Sequence, residues 1–228
     1  MAERSAVVTG GAGGLGGAVV EQLRDAGWRV VAPVREGATG KLPAGVTSIA
    51  ADVTVAEDVA AAVALAASEP GAPLRAVINL VGGFAMGGLV HETPVDDFEA
   101  MLRLNLRPTY LVTAAALPHL VAAGGGSVVC VSSRAAVAPF AGAAGYATAK
   151  AAVVAFANAV SVEYRREGVR ANTVLPSVID TPSNRRDQPD ADHARWVTPA
   201  EIAQVIAFLA DDASAPISGA SIPVYGRS

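Results

Sequence analysis

The sequence predicts a single α/β domain spanning residues 1–228, a doubly wound, mostly parallel sheet of about seven strands with helices on both faces. Three observations carry this. Short apolar runs alternate with longer helical stretches along the whole chain. A glycine-dense turn joins the first strand to the first helix. The 228 residues are 52% apolar and 17% charged, enough for one large core, with no linker, repeat or low-complexity segment beyond alanine-rich helices.

Ser5 to Thr9 is the first strand. Gly10-Gly11-Ala12-Gly13-Gly14-Leu15-Gly16-Gly17 follows and opens a helix to about Ala26. Glycines in that setting let backbone N–H groups approach a phosphate at the positive end of a helix; the bland reading is a merely tight turn. Arg29 to Val34 is the second strand, with Arg35 just past its end. Residues 36–46 hold three glycines and a proline and predict an irregular crossover. Val46 to Ala51 is a third strand, ending at Asp52. Thr54-Val55-Ala56-Glu57 has the form of a capping box that opens a helix to about Ser68. Ala76 to Val81 is the fourth strand, with Asn79 inside an apolar run and Gly82-Gly83 after it. A buried Asn needs partners, and backbone groups are the simplest ones.

Thr93-Pro94-Val95-Asp96 supplies an N-cap, a proline at the first helical position and an early acid for a helix to about Leu117. Asn105 falls mid-helix. It either makes a local backbone bond that bends the helix or aims a polar group or water at Lys150. Ser127 to Val131 is a buried strand that delivers Ser132 and Ser133 to a sheet edge, where open α/β sheets bind ligands. A small-residue loop with Pro139, Gly142 and Gly145 leads into a helix from about Tyr146 to Glu167. Tyr146 and Lys150 lie on one face of it, so a hydroxyl, a phenol and an ammonium converge. Alone, that pair is far more often an ordinary helix face than a site. Arg170 to Leu175 is the sixth strand, residues 181–197 a polar irregular segment, Thr198-Pro199-Ala200-Glu201 a capping box opening a helix to Ala210, and Ala220 to Val224 the last strand.

The net charge of −4, without a basic cluster, gives no case for nucleic acid. Cys130, the single cysteine, reads as a small buried hydrophobe. The histidines, His91, His119 and His193, lack ligand spacing, so no metal is expected. The charged N-terminus leads straight into a strand, predicting no signal peptide. The longest charge-free window, residues 108–133, is broken by Pro118 and Gly124-Gly125-Gly126 and predicts no membrane span. A cytoplasmic protein is expected.

Together these motifs resemble the short-chain dehydrogenase/reductase family, over essentially the whole chain. Thr9-Gly10-Gly11-Ala12-Gly13-Gly14-Leu15-Gly16 matches its glycine motif, and Asp52 its acid after strand three. Asn79-Leu80-Val81-Gly82 matches its Asn-Asn-Ala-Gly only in part, and Ser177 replaces Gly in Pro176-Ser177-Val178-Ile179-Asp180-Thr181. Ser133, thirteen residues before the tyrosine, is selected over Ser132. The resemblance implies a Rossmann-type fold and hydride transfer between a nicotinamide and a small carbonyl or alcohol substrate. Tyr146 would be the acid and base, Ser133 the partner of the substrate oxygen, Lys150 the cation that lowers the phenol and holds the ribose, and Asn105 the support of a proton-relaying water. It also places cofactor against Gly10, Gly14, Leu15, Gly16, Arg35, Asp52, Val53, Asn79, Gly82, Tyr146, Lys150, Pro176, Ile179 and Thr181.

NADP is expected over NAD, because Val34 stands where NAD-preferring members place an acid and Arg35 follows, although Arg35 could be only a solvated charge. The family and the apolar helices around Asn105 and Tyr146 imply a homo-oligomer, a tetramer or dimer. Residues 181–196 read as a lid with few apolar side chains, selecting a small, polar or planar carbonyl. That lid and Gly82-Gly83-Phe84 resemble dihydropteridine reductases, so a pteridine or quinone stacked near Trp196 is an alternative, as is Trp196 packed on the core. A non-catalytic dinucleotide sensor on the same fold is the rival class.

Overall fold

A computed structural model of the chain describes residues 2–37 and 42–227. Seven strands form one sheet in the order β3-β2-β1-β4-β5-β6-β7. They are β1 (Ser5–Thr9), β2 (Arg29–Val34), β3 (Thr47–Ala50), β4 (Leu74–Asn79), β5 (Gly126–Val131), β6 (Val169–Pro176) and β7 (Ser221–Val224). Every pairing is parallel. Parallel strands covered on both faces read as near-continuous apolar runs, and all five residues of β1 are buried. Alternate residues serve opposite layers. Val7, Val77, Val128 and Cys130 join one core with α2 (Ala56–Ala67), α4 (Arg107–Ala122) and α5 (Ala144–Glu163). Val8, Ile78, Val129 and Val174 join the other with α1 (Gly16–Asp25) and α7 (Pro199–Ala210).

The chain order reverses between β1 and β4, which opens a crevice at the carboxyl ends of these strands. Two glycines set the geometry there. Gly10 has φ +72°, open to glycine at little cost. A Cβ on Gly16 would lie 2.0 Å from the Gly10 carbonyl oxygen, so α1 can start this close to the β1 turn only without a side chain.

Several element boundaries differ from the sequence reading. β4 ends at Asn79 rather than Val81, so Asn79 is its last residue. The capping box at residues 54–57 does not form: Thr54 Oγ1 donates to Asp52 Oδ1 instead, and α2 starts after Val55. Thr93 likewise caps nothing; its hydroxyl donates to the Gly88 and Leu89 carbonyls, in a 3₁₀ turn that precedes α3 (Val95–Asn105). The single helix expected from residue 93 to 117 is two, α3 and α4, broken at Leu106. Pro108 in the first turn of α4 explains the break, since proline lacks a backbone donor and fits a helix start. Pro118, which suggested a stop, sits inside α4. α5 ends at Glu163, and a 3₁₀ turn plus Gly168 at φ +73° lead into β6. The box at Thr198 and Glu201 does form. Residues 38–41 of the connection expected to be irregular lie outside the described residues.

Gly16 and Gly17 make a paired test. A Cβ on Gly17 meets nothing within 4 Å. Gly16→Ala is expected to lower stability by about 1–3 kcal/mol in urea unfolding, whereas Gly17→Ala stays within about 1 kcal/mol of the parent. Equal losses would contradict this account of the α1–β1 contact.

Candidate active site

The crevice is a cleft of about 560 Å³ lined by Gly10, Gly14, Leu15, Gly16, Arg35, Asp52, Val53 and Gly82 among others. Eight residues chosen from sequence thus meet on one surface. α1 begins with no side-chain cap and no acid in its first turn. A Cβ on Gly14 would lie 2.9 Å from Thr181 Cγ2, so the turn and the start of the lid are in contact. A backbone cradle at a helix N-terminus that a Cβ would fill suits a dinucleotide pyrophosphate. Asp52 stays below the ordinary carboxyl range because Thr54 donates to it from backbone and hydroxyl. Val34 and Arg35 line the same cleft, and no acid ends β2.

Ser133, Tyr146 and Lys150 do not line this cleft: Lys150 adjoins it at Gly82, where a Cβ would lie 3.0 Å from its Nζ, and Tyr146 lines a neighbouring cavity. Lys150 is 6% exposed, yet its Nζ donates to the Val131 carbonyl at 3.1 Å, and it lies 5.9 Å from the Tyr146 ring centroid. Burial pushes this ammonium down to about 8. Burial also raises the Tyr146 phenol, and the Ser133 hydroxyl pulls it partly back. This departs from the expectation that Lys150 depresses the phenol: desolvation dominates, so the phenol keeps its proton. Ser133 Oγ accepts from the Ala135 N–H at 3.1 Å, which fixes its rotamer. Ser132, the neighbour passed over, donates to the Lys150 carbonyl at 2.7 Å and ties β5 to α5.

Asn105 makes the local backbone bond that one reading gave it, and its other bonds go to Gly83. Its Nδ2 donates to the Met101 and Gly83 carbonyls, and its Oδ1 accepts from the Gly83 N–H. A Cβ on Gly82 would lie 2.6 Å from Asn105 Oδ1 and 3.0 Å from Lys150 Nζ. Gly82 is therefore the gap through which Asn105 and Lys150 approach each other.

Asn79 does not reach the cleft. It is 2% exposed, and its Nδ2 donates to Thr113 Oγ1 at 3.0 Å and Cys130 Sγ at 3.6 Å rather than to backbone. Its neighbours Leu80, Val81 and Gly82 form the cleft wall. Pro176 ends β6 and is buried, and Ile179 pairs with Val197 in an isolated bridge. Neither lines the cleft, while Thr181 touches it through Gly14.

The lid is more regular than expected. Thr181 caps a short helix, α6 (Pro182–Asp187), by accepting from the Asn184 N–H. Arg185 Nη2 donates to Asp180 at 2.7 Å, and that guanidinium holds the Asp180 carboxyl low. Trp196 is 9% exposed, with its ring against His193. It packs inward, which removes the stacking surface proposed for a pteridine or quinone. Phe84, which the sequence offered only within Gly82-Gly83-Phe84, meets the Tyr146 ring at 5.0 Å, and Phe140, not singled out, lies 6.2 Å from Phe84. An aromatic directly after Gly82-Gly83 was the available signal.

Comparison with known proteins agrees with this geometry. The family model for short chain dehydrogenase matches residues 4–192. 2-(R)-Hydroxypropyl-CoM dehydrogenase of Xanthobacter autotrophicus is 32% identical, over 98% of this chain and 97% of that one. Cis-4-hydroxycyclohexanecarboxylate dehydrogenase of Sinomonas cyclohexanicum is 34% identical, over 99% and 96%. A short-chain type dehydrogenase/reductase from Mycobacterium ulcerans superposes with a TM-score of 0.92 at 26% identity, over 100% of this chain and 90% of that one. The sensor reading gives way to an NAD(P)-dependent enzyme, and the chain belongs to the short-chain dehydrogenase/reductase family.

Proposed function

We propose that the chain interconverts a small alcohol and its carbonyl compound, using NADP(H) in preference to NAD(H). The observation that carries this reading is the meeting of Ser133, Tyr146 and Lys150, with Lys150 brought to the cleft wall at Gly82. Bound nicotinamide supplies the hydride, or accepts it, in this chemistry. Tyr146 gives its proton to the carbonyl oxygen in reduction and takes the hydroxyl proton in oxidation. Its raised phenol is protonated at neutral pH, which suits the acid role directly. Ser133 hydrogen-bonds the same oxygen as charge develops there. Lys150, held at the Val131 carbonyl, would hold the cofactor ribose, and Asn105 acts as a positioning residue through Gly82 and Gly83.

Both dehydrogenase relatives are named for hydroxyl-bearing compounds, which supports an alcohol as one member of the substrate pair. The cofactor preference rests on Arg35 at the cleft and on β2 ending without a carboxylate to repel a 2′-phosphate. We further infer a cytoplasmic homo-oligomer acting on small molecules, with neither nucleic acid nor membrane as partner. Tyr110 and Val162, on α4 and α5, are 53% and 67% exposed, and the Tyr110 ring meets Phe156 across the two helices at 5.7 Å, tilted by 57°. Such an apolar face suits a second copy.

Tyr146→Phe tests the central reading. It is expected to keep the fold and dinucleotide affinity and to cut kcat by about a thousandfold. Near-normal turnover would overturn the assigned chemistry. Arg35→Ala is expected to lower kcat/KM for NADPH relative to NADH by about tenfold, a charge-assisted contact to phosphate being lost. An NADH preference that the substitution leaves unchanged would refute the cofactor assignment.

A further inference from the structure

The acid–base chemistry leaves unused a set of apolar side chains gathered around Tyr146. Phe84 stands edge-on to the Tyr146 ring, with centroids 5.0 Å apart and planes at 83°. Phe140 lies 6.2 Å from Phe84. The two phenylalanines are 55% and 48% exposed, and Met86 and Val137 nearby in sequence are each 60% exposed. The chain itself therefore covers little of these rings, although they stand at the acid–base group.

Their backbone is held in place. The Gly87 N–H donates to the Gly142 carbonyl at 2.8 Å and joins the loop after β4 to the loop before α5. Gly142 has φ +78°, and a Cβ there would lie 2.8 Å from the Gly87 carbonyl oxygen, so the close approach of the two loops needs glycine. Presenting both rings on tied loops lowers the ordering cost of binding. A cavity of about 340 Å³ adjoins, lined by Met86, Phe98, Met101, Gly145 and Tyr146 among others. That is the volume range of a small-ligand site. Across the lid the chemistry is opposite: Arg185 is paired with Asp180 and Trp196 is turned inward.

We propose that Phe84 and Phe140 seat the apolar part of the substrate, and that this substrate is an alcohol or ketone whose oxygen-bearing carbon lies in, or is bonded directly to, a carbocyclic or aromatic ring. Rings prefer edge-to-face or offset contact with other rings, and the Phe84–Tyr146–Phe140 corner offers such faces beside the proton donor. The proposal rests on Tyr146 being the acid–base group, and of the small, polar or planar carbonyl expected from the lid it keeps the planar member.

The test compares kcat/KM for cyclohexanol and 1-phenylethanol with that for 2-butanol and 2-octanol, with both dinucleotides supplied. Saturation-transfer NMR of acetophenone and 2-octanone on the enzyme–dinucleotide complex reads binding separately. Ring substrates are expected to lead 2-octanol by about tenfold or more, and Phe84→Ala and Phe140→Ala to collapse that ratio. Phe84→Tyr, which keeps a ring, retains it. Both side chains are about half exposed, so the variants should fold, as thermal melts will verify; Phe→Leu at each position replaces any that does not. Preference for 2-octanol, or a ring preference that survives both alanines, overturns the proposal while Tyr146-dependent turnover still upholds the oxidoreductase reading. Turnover that persists in Tyr146→Phe, or none with any of these alcohols and ketones, overturns that reading and the proposal with it.

Discussion

The burial of one ammonium group is the constraint on which the rest of the site depends. Lys150 sits in the second turn of α5, a long apolar helix, and is 6% exposed. By length and composition α5 could cross a membrane, but it packs against β6 and contributes Val153, Ala157 and Val160 to the core. A buried charge needs partners or loses its proton. Here the Val131 carbonyl supplies the one direct bond, and the approach of Asn105 is possible because Gly82 has no side chain. Ser132 pins α5 to the end of β5 at the same residue. The loop after β4, the junction of α3 and α4, the end of β5 and the start of α5 are thereby held to one point. The Tyr146 phenol, one turn before Lys150, takes its position from that arrangement.

Much of this was legible in the sequence. The strand–glycine–helix opening put Gly10, Gly14 and Gly16 at a cleft because only a residue without a side chain fits those contacts. Continuous burial along β1, with alternate side chains in opposite cores, follows from an apolar run covered on both faces. What failed did so for identifiable reasons. Thr54 and Thr93 carried capping signals, but each hydroxyl found a nearer acceptor, Asp52 in one case and the Gly88 and Leu89 carbonyls in the other. Pro108 was overlooked as a helix start, and Pro118 was overvalued as a stop. Asn79 looked like a cleft residue because its neighbours are, yet strand alternation turns it toward Thr113 and Cys130. Trp196 could be placed only by tertiary packing, as could the meeting of Phe84 and Phe140 from segments far apart in sequence.

The two halves of the site are built on different physics. The cofactor half is backbone and glycine, with Arg35 and Asp52 as its charged margins. The chemical half is a desolvated pair, with the phenol raised and the ammonium lowered by burial. Beside that pair Phe84 and Phe140 are about half exposed, and the proposed ring selectivity rests on them.

The desolvation of Lys150 can be measured directly, through the pH dependence of stability in the dinucleotide-free protein. Burial places the folded ammonium at about 8 against an ordinary value of 10.5. Above pH 8 the folded state has released this proton while the unfolded chain still holds it, so stability rises with pH. Cys130 works in the opposite sense, being raised from 9.0 to about 11; its unfolded thiol is already losing its proton between pH 8 and 9, which takes back about 0.4 kcal/mol of the gain of about 1 kcal/mol from Lys150. Urea unfolding between pH 8 and 9 should therefore show a net gain of about 0.6 kcal/mol, which Lys150→Met turns into a slight fall. A flat or falling curve in that window, or the same slope in the variant, would contradict the buried ammonium at the centre of this site.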